Sequence, residues 1–427
     1  MENKDYRPRV ADAALSLYLK TFGAVCVEGP KWCGKTWTSA RHSGSVCSLA
    51  DPRGNFQNRR MAEMDPALVL EGERPRLLDE WQEVPSLWDA VRFGVDDAAG
   101  RHGQFVLTGS ATPVTKGVLH SGAGRIARLR MHTMSLYESG DSSGDVSLQS
   151  LFGKGFAKNK PTGPVKLERL AELIVRGGWP AALGMPLNRA MLLPREYIRA
   201  VVSDDMNRLD GVRRDTAKMQ LLLRSLARNE CTLTTVRKLV SDISAVDAQD
   251  IDIKTVNGYL DVLRRLFLLE NQPPFGFGLR SSVRVKQAEK WHFADPSLAA
   301  ALLGATPKRL MGDLNTLGFL FESLVERDLR VYAESFNAKL YHYRDYKDRE
   351  IDAVVELPDS TWGAIEIKLG ANQIDAAAAG LLKLRAALVE ESPANAPAFL
   401  CVICGLCDAA YRRPDGVYVV PATALRP

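Results

Sequence analysis

The sequence lacks an uninterrupted apolar run of the ~18 residues that a membrane helix requires. Its opening, MENKDYRPRV, is charged where a secretory signal would be apolar. No repeat appears at a period of ~20 to 50 residues, which argues against a solenoid or a propeller. We therefore expect a cytoplasmic globular protein that has no membrane partner.

Cysteine is scarce, and charge of one sign is not in clear excess. Seven cysteines in 427 residues are an odd number in apolar surroundings, which favours reduced thiols. Cys401, Cys404 and Cys407 invite a metal interpretation, but FLCVIC alternates like a buried strand and no fourth ligand is near, so core packing is favoured. Lys and Arg number 56 against 51 Asp and Glu, a net charge of +5, which does not by itself indicate a nucleic-acid binder.

Basic residues do cluster locally, and for each cluster a solvated surface and a phosphate contact remain open. The two clusters are Arg208, Arg213, Arg214 and Lys218, and then Arg280, Arg284, Lys286 and Lys290.

Hydrophobic patterning divides the chain into four stretches. Apolar runs that end in glycine or acid alternate with helix-length segments over 1–140, which is typical of a parallel α/β sheet. A Ser-, Gly- and Lys-rich stretch over 141–165 predicts a loop or linker. Three amphipathic helices follow within 166–295, and KWHFAD after NQPPFGFG resembles the wing of a winged helix, a module that binds DNA or serves in packing.

The stretch 296–427 predicts a separate α/β unit. Its opening helix carries apolar residues at i, i+3, i+4, i+7 and i+8, and strand patterns follow at AKLYHYR, REIDAVVE, TWGAIEIK and PAFLCVIC. A helix is expected between the last two strands, from about Gln373 to Glu390.

The segment GPKWCGKT fits the phosphate-binding pattern G-x-x-x-x-G-K-[ST] between a predicted strand and a predicted helix. Glycines let successive N–H groups point at the β-phosphate, the lysine reaches the β- and γ-oxygens, and the threonine hydroxyl contacts Mg²⁺. ATP and Mg²⁺ are therefore the expected cofactors. The predicted nucleotide ligands are Gly29, Pro30, Lys31, Trp32, Cys33, Gly34, Lys35 and Thr36.

Acids and polar groups at the ends of two further strands complete the predicted site. In RPRLLDEWQ, Asp79 would hold the magnesium shell and Glu80 would orient the attacking water. The strand QFVLTGS ends in Thr108 and Ser110, which are placed to sense the γ-phosphate. Arg125 and Arg128 are candidates for an arginine finger that reaches a neighbouring subunit's nucleotide, and for each a surface salt bridge is the alternative.

Together these motifs resemble the prokaryotic AAA+ ATPases that carry a C-terminal domain of unknown function with a restriction-endonuclease-like fold. The resemblance rests on Arg9, GPKWCGKT, LLDEWQ, LTGS, GRIARLRMHTMSLYE, the RGGWP turn and YIRAVVSDD. It implies an AAA+ core, a winged-helix middle, a nuclease-like C-terminal domain and assembly into homo-oligomers. Lys31-Trp32-Cys33 stand where relatives have an arginine followed by small or polar residues, so Lys31 takes the arginine's place.

The C-terminal unit contains a second candidate metal site. Asp352 precedes Glu366 and Lys368, which share one face of a strand because side chains alternate. This is the D…E-x-K arrangement in which carboxylates hold Mg²⁺ and the lysine positions the water. The resemblance adds Glu322 as a further metal contact, while an ordinary Glu–Lys ion pair is the alternative.

The sequence favours an ATPase that couples ATP binding and hydrolysis to DNA binding or to Mg²⁺-dependent DNA processing. An ATP-switched binding protein with an inactive nuclease-like domain is the alternative. A small-metabolite kinase is disfavoured by Glu80, by the lack of an obvious lid and by the extra domains.

Overall fold

The computed structural model describes residues 6–112, 120–156, 159–209, 211–245, 251–278, 280–347 and 349–427. No helix in these ranges is long and apolar enough to cross a membrane. The strands are β1 Ala24–Glu28, β2 Ser45–Ser48, β3 Arg76–Asp79, β4 Phe105–Gly109, β5 Ile126–Arg130, β6 Val146–Ser147, β7 Lys160–Pro161, β8 Lys339–Arg344, β9 Glu350–Glu356, β10 Trp362–Gly370, β11 Phe399–Leu406, β12 Ala409–Arg412, β13 Tyr418–Pro421 and β14 Leu425–Arg426.

Helices account for most of the remaining regular structure. A π-helical turn, Val201–Asp205, separates α9 from α10. The α-helices are α1 Ala11–Thr21, α2 Lys35–Arg41, α3 Arg53–Met64, α4 Ala67–Leu70, α5 Leu87–Asp97, α6 Leu136–Ser139, α7 Leu167–Arg176, α8 Leu187–Ala190, α9 Leu192–Ala200, α10 Met206–Arg208, α11 Thr216–Arg228, α12 Val236–Ser244, α13 Ile253–Arg265, α14 Val283–Lys286, α15 Pro296–Leu302, α16 Pro307–Met311, α17 Leu314–Ser335 and α18 Ile374–Glu391.

The chain forms two compact units. The first contains Met1–Thr133, Ala200–Arg214 and Leu260–Leu268, and the second contains Met134–Arg199, Asp215–Tyr259 and Leu269–Pro427. The four stretches expected from the sequence do not coincide with these units, so their boundaries stay predictions.

The first unit is built on a parallel sheet of order β2-β3-β4-β1-β5. Both of its faces are covered: Ala24 and Cys26 of β1 belong to one hydrophobic core, and Val25 and Val27 to another. This explains why β1 is a continuous apolar run. Because the strands are parallel, the carboxyl ends of β1, β3 and β4 meet at one edge, where ligands bind in such sheets.

The second unit is built on a sheet of order β7-β12-β13-β11-β10-β9-β8. Strands β8, β9 and β10 are antiparallel, whereas β10, β11 and β13 run parallel. Apolar residues of α18 share a core with these strands. The expected apolar stripe of α17 is buried at all five positions, Leu317, Leu320, Phe321, Leu324 and Val325.

The stretch 141–165, predicted as a loop or linker, contributes two short strands. Strand β6 pairs with β14, and β7 pairs with β12 at the edge of the large sheet. Both partners come from the other end of the chain, and two-residue strands leave no local hydrophobic pattern to detect. The stretch is therefore anchored within the second unit.

Candidate functional site

The loop between β1 and α2 has the backbone of a phosphate-binding turn. Gly34 has φ 103°, a left-handed value that favours glycine. A Cβ at Gly29 would overlap the carbonyl oxygen of Met131. Lys35 is 4% exposed, and its Nζ donates to the carbonyl oxygens of Gly29 at 3.0 Å and Pro30 at 2.8 Å. The ammonium thus lies inside the loop at the N-terminus of α2, where a phosphate would bind.

Asp79, at the end of β3, accepts hydrogen bonds from hydroxyl groups of neighbouring elements. Its carboxylate accepts hydrogen bonds from Thr36 Oγ1 at 2.8 Å and Thr108 Oγ1 at 2.7 Å. Ser48 Oγ on β2 also donates to it at 3.4 Å. Asp79 is only 7% exposed. A hydroxyl and a buried carboxylate in contact are a ligand pair that suits Mg²⁺ in this loop.

Glu80 leaves the strand in a left-handed conformation, with φ 58° and ψ 49°. Its backbone N–H donates to Thr108 Oγ1 at 3.1 Å, which fixes this turn. The Glu80 carboxylate accepts from Ser110 Oγ at 2.9 Å and also contacts the Gln82 amide. The structure therefore brings the predicted catalytic acid and the predicted sensor serine into direct contact, with Gln82 as a third member that the sequence did not single out.

Lys31 in the same loop is paired with a residue far along the chain. Its Nζ lies 2.5 Å from Asp205 Oδ1, and Asp205 is 8% exposed at the end of the π-helical turn. Sequence reasoning placed Lys31 at the phosphates and assigned no role to Asp205. The only available signal was the YIRAVVSDD motif, which ends in this acid.

The other loop positions differ in their surroundings. Cys33 is fully buried, and its Sγ approaches the Met131 carbonyl oxygen. Trp32, with φ 64°, is 52% exposed. Arg9 supports the loop from outside, because its guanidinium donates to the carbonyl oxygens of Cys33 at 2.7 Å and His132 at 3.0 Å.

The two candidate finger arginines lie on the first unit's surface and pair with acids of the same unit. Arg125 donates to Asp96 at 2.8 Å and is 47% exposed. Arg128 pairs with Glu28 at the end of β1 and lies 4.8 Å from the ring centroid of Trp88. Each has the surface ion pair considered as the alternative, and their role at a neighbouring subunit stays a prediction.

In the second unit, the D…E-x-K residues converge at the junction of β9 and β10. Lys368 Nζ lies 2.9 Å from Asp352 Oδ2 and 2.6 Å from Glu366 Oε2. Asp352 also accepts the backbone N–H of Ile367 at 2.8 Å. Burial and the Asp352 charge raise the pKa of Glu366 to about 8, although Lys368 opposes the rise. Lys368 contacts both carboxylates and is the cation that they share in this structure.

Glu322 lies on α17 beside a buried lysine. Its carboxylate pairs with Lys290, whose Nζ is also 3.1 Å from Glu326. Burial raises the pKa of Glu322 to about 7, with Lys290 opposing and Asp352 adding to the rise. Burial disfavours a charged lysine, but Glu326 and Glu322 raise the pKa of Lys290 well above its ordinary value. Glu322 therefore already has a fixed cation as its partner.

The second basic cluster divides into residues that are paired with acids and residues that are exposed. Arg284 makes a paired contact with Glu356 at 2.6 and 3.0 Å, and Lys290 is buried with its acids. Arg280 and Lys286 are exposed. Arg280 and Lys286 are therefore the residues of this cluster that could contact a phosphate.

Comparison with protein families identifies the class of the first unit. Residues 21–139 match the family model of an AAA domain, and the nucleotide site from Gly29 to Ser110 lies inside this range. Residues 167–309 and 317–425 match two domains of unknown function, DUF8612 and DUF4143. The chain thus contains an AAA domain and, at its C-terminal end, a domain of unknown function, which confirms this much of the resemblance seen in the sequence.

Solved structures show more distant likenesses. The Walker-type ATPase of Pyrococcus abyssi is 12% identical with a TM-score of 0.43, covering 71% of this chain and 97% of that one. RuvB of Thermotoga maritima is 16% identical with a TM-score of 0.25, covering 62% of this chain and 89% of that one. Drosophila ORC bound to DNA is 14% identical with a TM-score of 0.16, covering 68% of this chain and 84% of that one. None of the curated proteins is a significant match.

Proposed function

We propose that the first unit hydrolyses ATP and that the second couples this cycle to binding or processing of DNA. The observation that carries the ATPase proposal is the 2.8 Å contact between Thr36 and Asp79, beside a buried Lys35. Mg²⁺ bound at Thr36 and Asp79 would neutralise charge on the β- and γ-phosphates. Lys35 and the N–H groups of the loop hold the phosphates in place.

Glu80 is the proposed group that orients and polarises the attacking water. Its carboxylate is positioned by Ser110 and Gln82, while Thr108 fixes its backbone. A carboxylate held in this way can accept a hydrogen bond from water that faces the γ-phosphate. Ser110 connects that carboxylate to the end of β4 and is placed to respond to the state of the phosphate.

The DNA part of the proposal rests on the Asp352, Glu366 and Lys368 cluster. Asp352 lies on β9 and Glu366 and Lys368 lie on the adjacent strand β10, as the D…E-x-K interpretation requires. Asp352 and Glu366 would hold Mg²⁺, which stabilises charge on a scissile phosphate, and Lys368 would position the water.

A winged-helix role for the middle of the chain supports DNA binding. Helices α11, α12 and α13 precede a ladder in which Leu269 pairs with Phe293 and Gln272 with Lys290 in antiparallel fashion. A helical trio followed by such a ladder fits the winged-helix interpretation of the sequence. Assembly into a homo-oligomer, with Arg125 or Arg128 at a neighbour's nucleotide, belongs to the same proposal.

The second candidate function is an ATP-switched DNA- or protein-binding module in which the nuclease-like domain is inactive. The pairing of Glu322 with Lys290 favours it, because an internal ammonium already neutralises one proposed metal ligand. The test is to incubate the full chain with ATP, Mg²⁺ and labelled DNA, and to measure phosphate release, DNA retention and DNA cleavage together. DNA-stimulated phosphate release supports the coupled ATPase, and cleavage decides between the two functions.

A further inference from the structure

The second unit contains a buried cluster of three possible metal ligands. None of the three was predicted to belong to the ATP site or to the Asp352 site. Glu230, Cys231 and His292 are 3%, 4% and 3% exposed. One ligand atom from each, a carboxylate oxygen, Sγ and a ring nitrogen, lies within 4.8 Å of the other two. Glu230 and Cys231 follow α11, and His292 lies in the segment that pairs with Leu269 and Gln272. Backbone hydrogen bonds from Cys231 N to Trp291 O at 2.9 Å and from Trp291 N to Thr232 O at 3.0 Å fix the two segments side by side.

The spacing of the ligand atoms is close to that of neighbouring ligands around a metal ion. His292 Nδ1 lies 3.5 Å from Glu230 Oε1 and 3.7 Å from Cys231 Sγ. An N–H···O hydrogen bond is ordinarily ~2.7–3.2 Å long. Around a tetrahedral ion with bonds of ~2.0 Å to N and O and ~2.3 Å to S, neighbouring ligands stand ~3.3–3.6 Å apart. The observed separations are close to that range.

Surrounding groups orient these ligands as partners of a metal site do. His292 Nε2, the nitrogen on the far side of the ring, lies 2.5 Å from Glu326 on α17. A carboxylate on the outer nitrogen is the usual arrangement for a metal-binding histidine. Glu230 is held by Ser323 Oγ at 2.7 Å and by the backbone N–H of Phe293 at 3.2 Å.

We propose that Glu230, Cys231 and His292 bind a divalent ion of the zinc class. Sulfur and nitrogen ligands suit Zn²⁺ and exclude Mg²⁺, which prefers oxygen. The Phe319 carbonyl oxygen, 3.3 Å from Cys231 Sγ, or a water completes the coordination. Binding displaces the thiol proton and the proton on Nδ1, so two released protons balance the two charges of the ion. The lysine nearby, Lys290, has its charge matched by Glu322 and Glu326.

The ion would tie three elements of the second unit together. Cys231 follows α11, His292 lies in the ladder, and the groups around them, Phe319 and Glu326, belong to α17. Cys231 has φ 60°, which a non-glycine residue seldom adopts, and this turn directs the chain back towards His292. A structural role is therefore expected, independent of ATP hydrolysis.

The test is cobalt substitution of the full chain. Protein produced in zinc-limited medium supplemented with Co²⁺ is expected to contain one Co²⁺ per chain and to show a thiolate-to-cobalt absorption band in the near ultraviolet. In Cys231→Ala and His292→Gln the metal content is expected to fall at least about tenfold. Cys401→Ala is the matched control, because it removes another buried thiol of the same unit and should keep both metal and band.

Far-ultraviolet circular dichroism shows whether each variant folds. If Cys231→Ala does not fold, folded His292→Gln decides in its place, because it removes one proposed ligand and keeps every thiol; a metal content and band that persist in it overturn the proposal. A wild-type chain that holds no cobalt or zinc and shows no such band overturns the proposal. So does a band that persists in folded Cys231→Ala.

Discussion

At the scale of single residues, Glu80 has an energetically unfavourable backbone conformation and a side chain that is held by hydrogen bonds. A left-handed conformation costs a non-glycine residue roughly 1–2 kcal/mol. The hydrogen bond from its N–H to Thr108 and the contacts of its carboxylate with Ser110 and Gln82 hold it there. Strain retained beside a phosphate-binding loop is typical of a functional position.

Glu80→Gln is expected to retain ATP binding and to lower the rate of hydrolysis by about 10²–10⁴-fold. The amide preserves the shape of the side chain but loses the charge that polarises water. Steady-state phosphate release combined with nucleotide titration measures both quantities. Glu83→Gln, at an acid that pairs with Arg59 on the surface, is the control. Unchanged turnover in Glu80→Gln would move the catalytic role elsewhere.

The Lys31 and Asp205 pair makes a second prediction at this scale. In the structure Asp205 holds the ammonium that the sequence assigns to the phosphates. Asp205→Asn should release Lys31 and tighten ATP binding by up to about fivefold, because half-exposed ion pairs are worth ~0.2–1 kcal/mol. Lys31→Met should weaken binding, and adding Asp205→Asn to it should change nothing further. Calorimetric titration of the four proteins tests this, and equal effects of Asp205→Asn in both backgrounds would contradict it.

At the scale of elements, the phosphate loop depends on a close approach between two backbones. A Cβ at Gly29 would meet the Met131 carbonyl oxygen, which belongs to backbone and has little room to move. Gly29→Ala is therefore expected to distort the loop and to abolish ATP binding. Gly258→Ala in α13 is the matched control, since a Cβ there meets nothing within 4 Å and should stabilise the chain by ~0.4–1 kcal/mol. Nucleotide titration and thermal unfolding measure both effects, and wild-type ATP affinity in Gly29→Ala would contradict this account of the loop.

Elements with strong local patterns were predicted well from the sequence. Strands β8 to β11 and helices α17 and α18 lie where alternation and helical periodicity placed them. The edge strands were missed, because β6 and β7 each contain two residues and gain their order from partners near the C-terminus. The Asp205 contact was missed for the same reason, since 174 positions separate it from Lys31.

The glycines of the RGGWP motif are explained by close packing in the structure. A Cβ at Gly178 would overlap the carbonyl oxygen of Met134, and its N–H donates to Asp295 at 2.9 Å. Asp295 in turn pairs with the buried Arg327 at 3.0 Å. The glycines are visible in the sequence. Their buried partners, Asp295 and Arg327, could not be predicted because they lie more than one element away along the chain.

At the scale of the whole molecule, the two predicted activities use separate sets of residues. Asp352→Ala and Lys368→Ala are expected to abolish any Mg²⁺-dependent DNA cleavage while ATP hydrolysis survives, because neither residue belongs to the unit that contains the phosphate loop. A gel assay for cleavage and a phosphate assay on the same preparations measure this. Cleavage that persists in both variants would remove the proposed metal site, and the absence of cleavage in the wild type would favour the binding-module function.

The phosphate loop is proposed to make this chain an ATPase, and one measurement tests this proposal most directly. Phosphate release from ATP is measured for the purified full chain with Mg²⁺, with and without DNA, beside Lys35→Ala. Lys35 is the buried cation of the loop, so the wild type should release phosphate and the variant should neither bind nor hydrolyse ATP. Equal phosphate release from both proteins, or ATP binding by Lys35→Ala at wild-type affinity, would contradict the account.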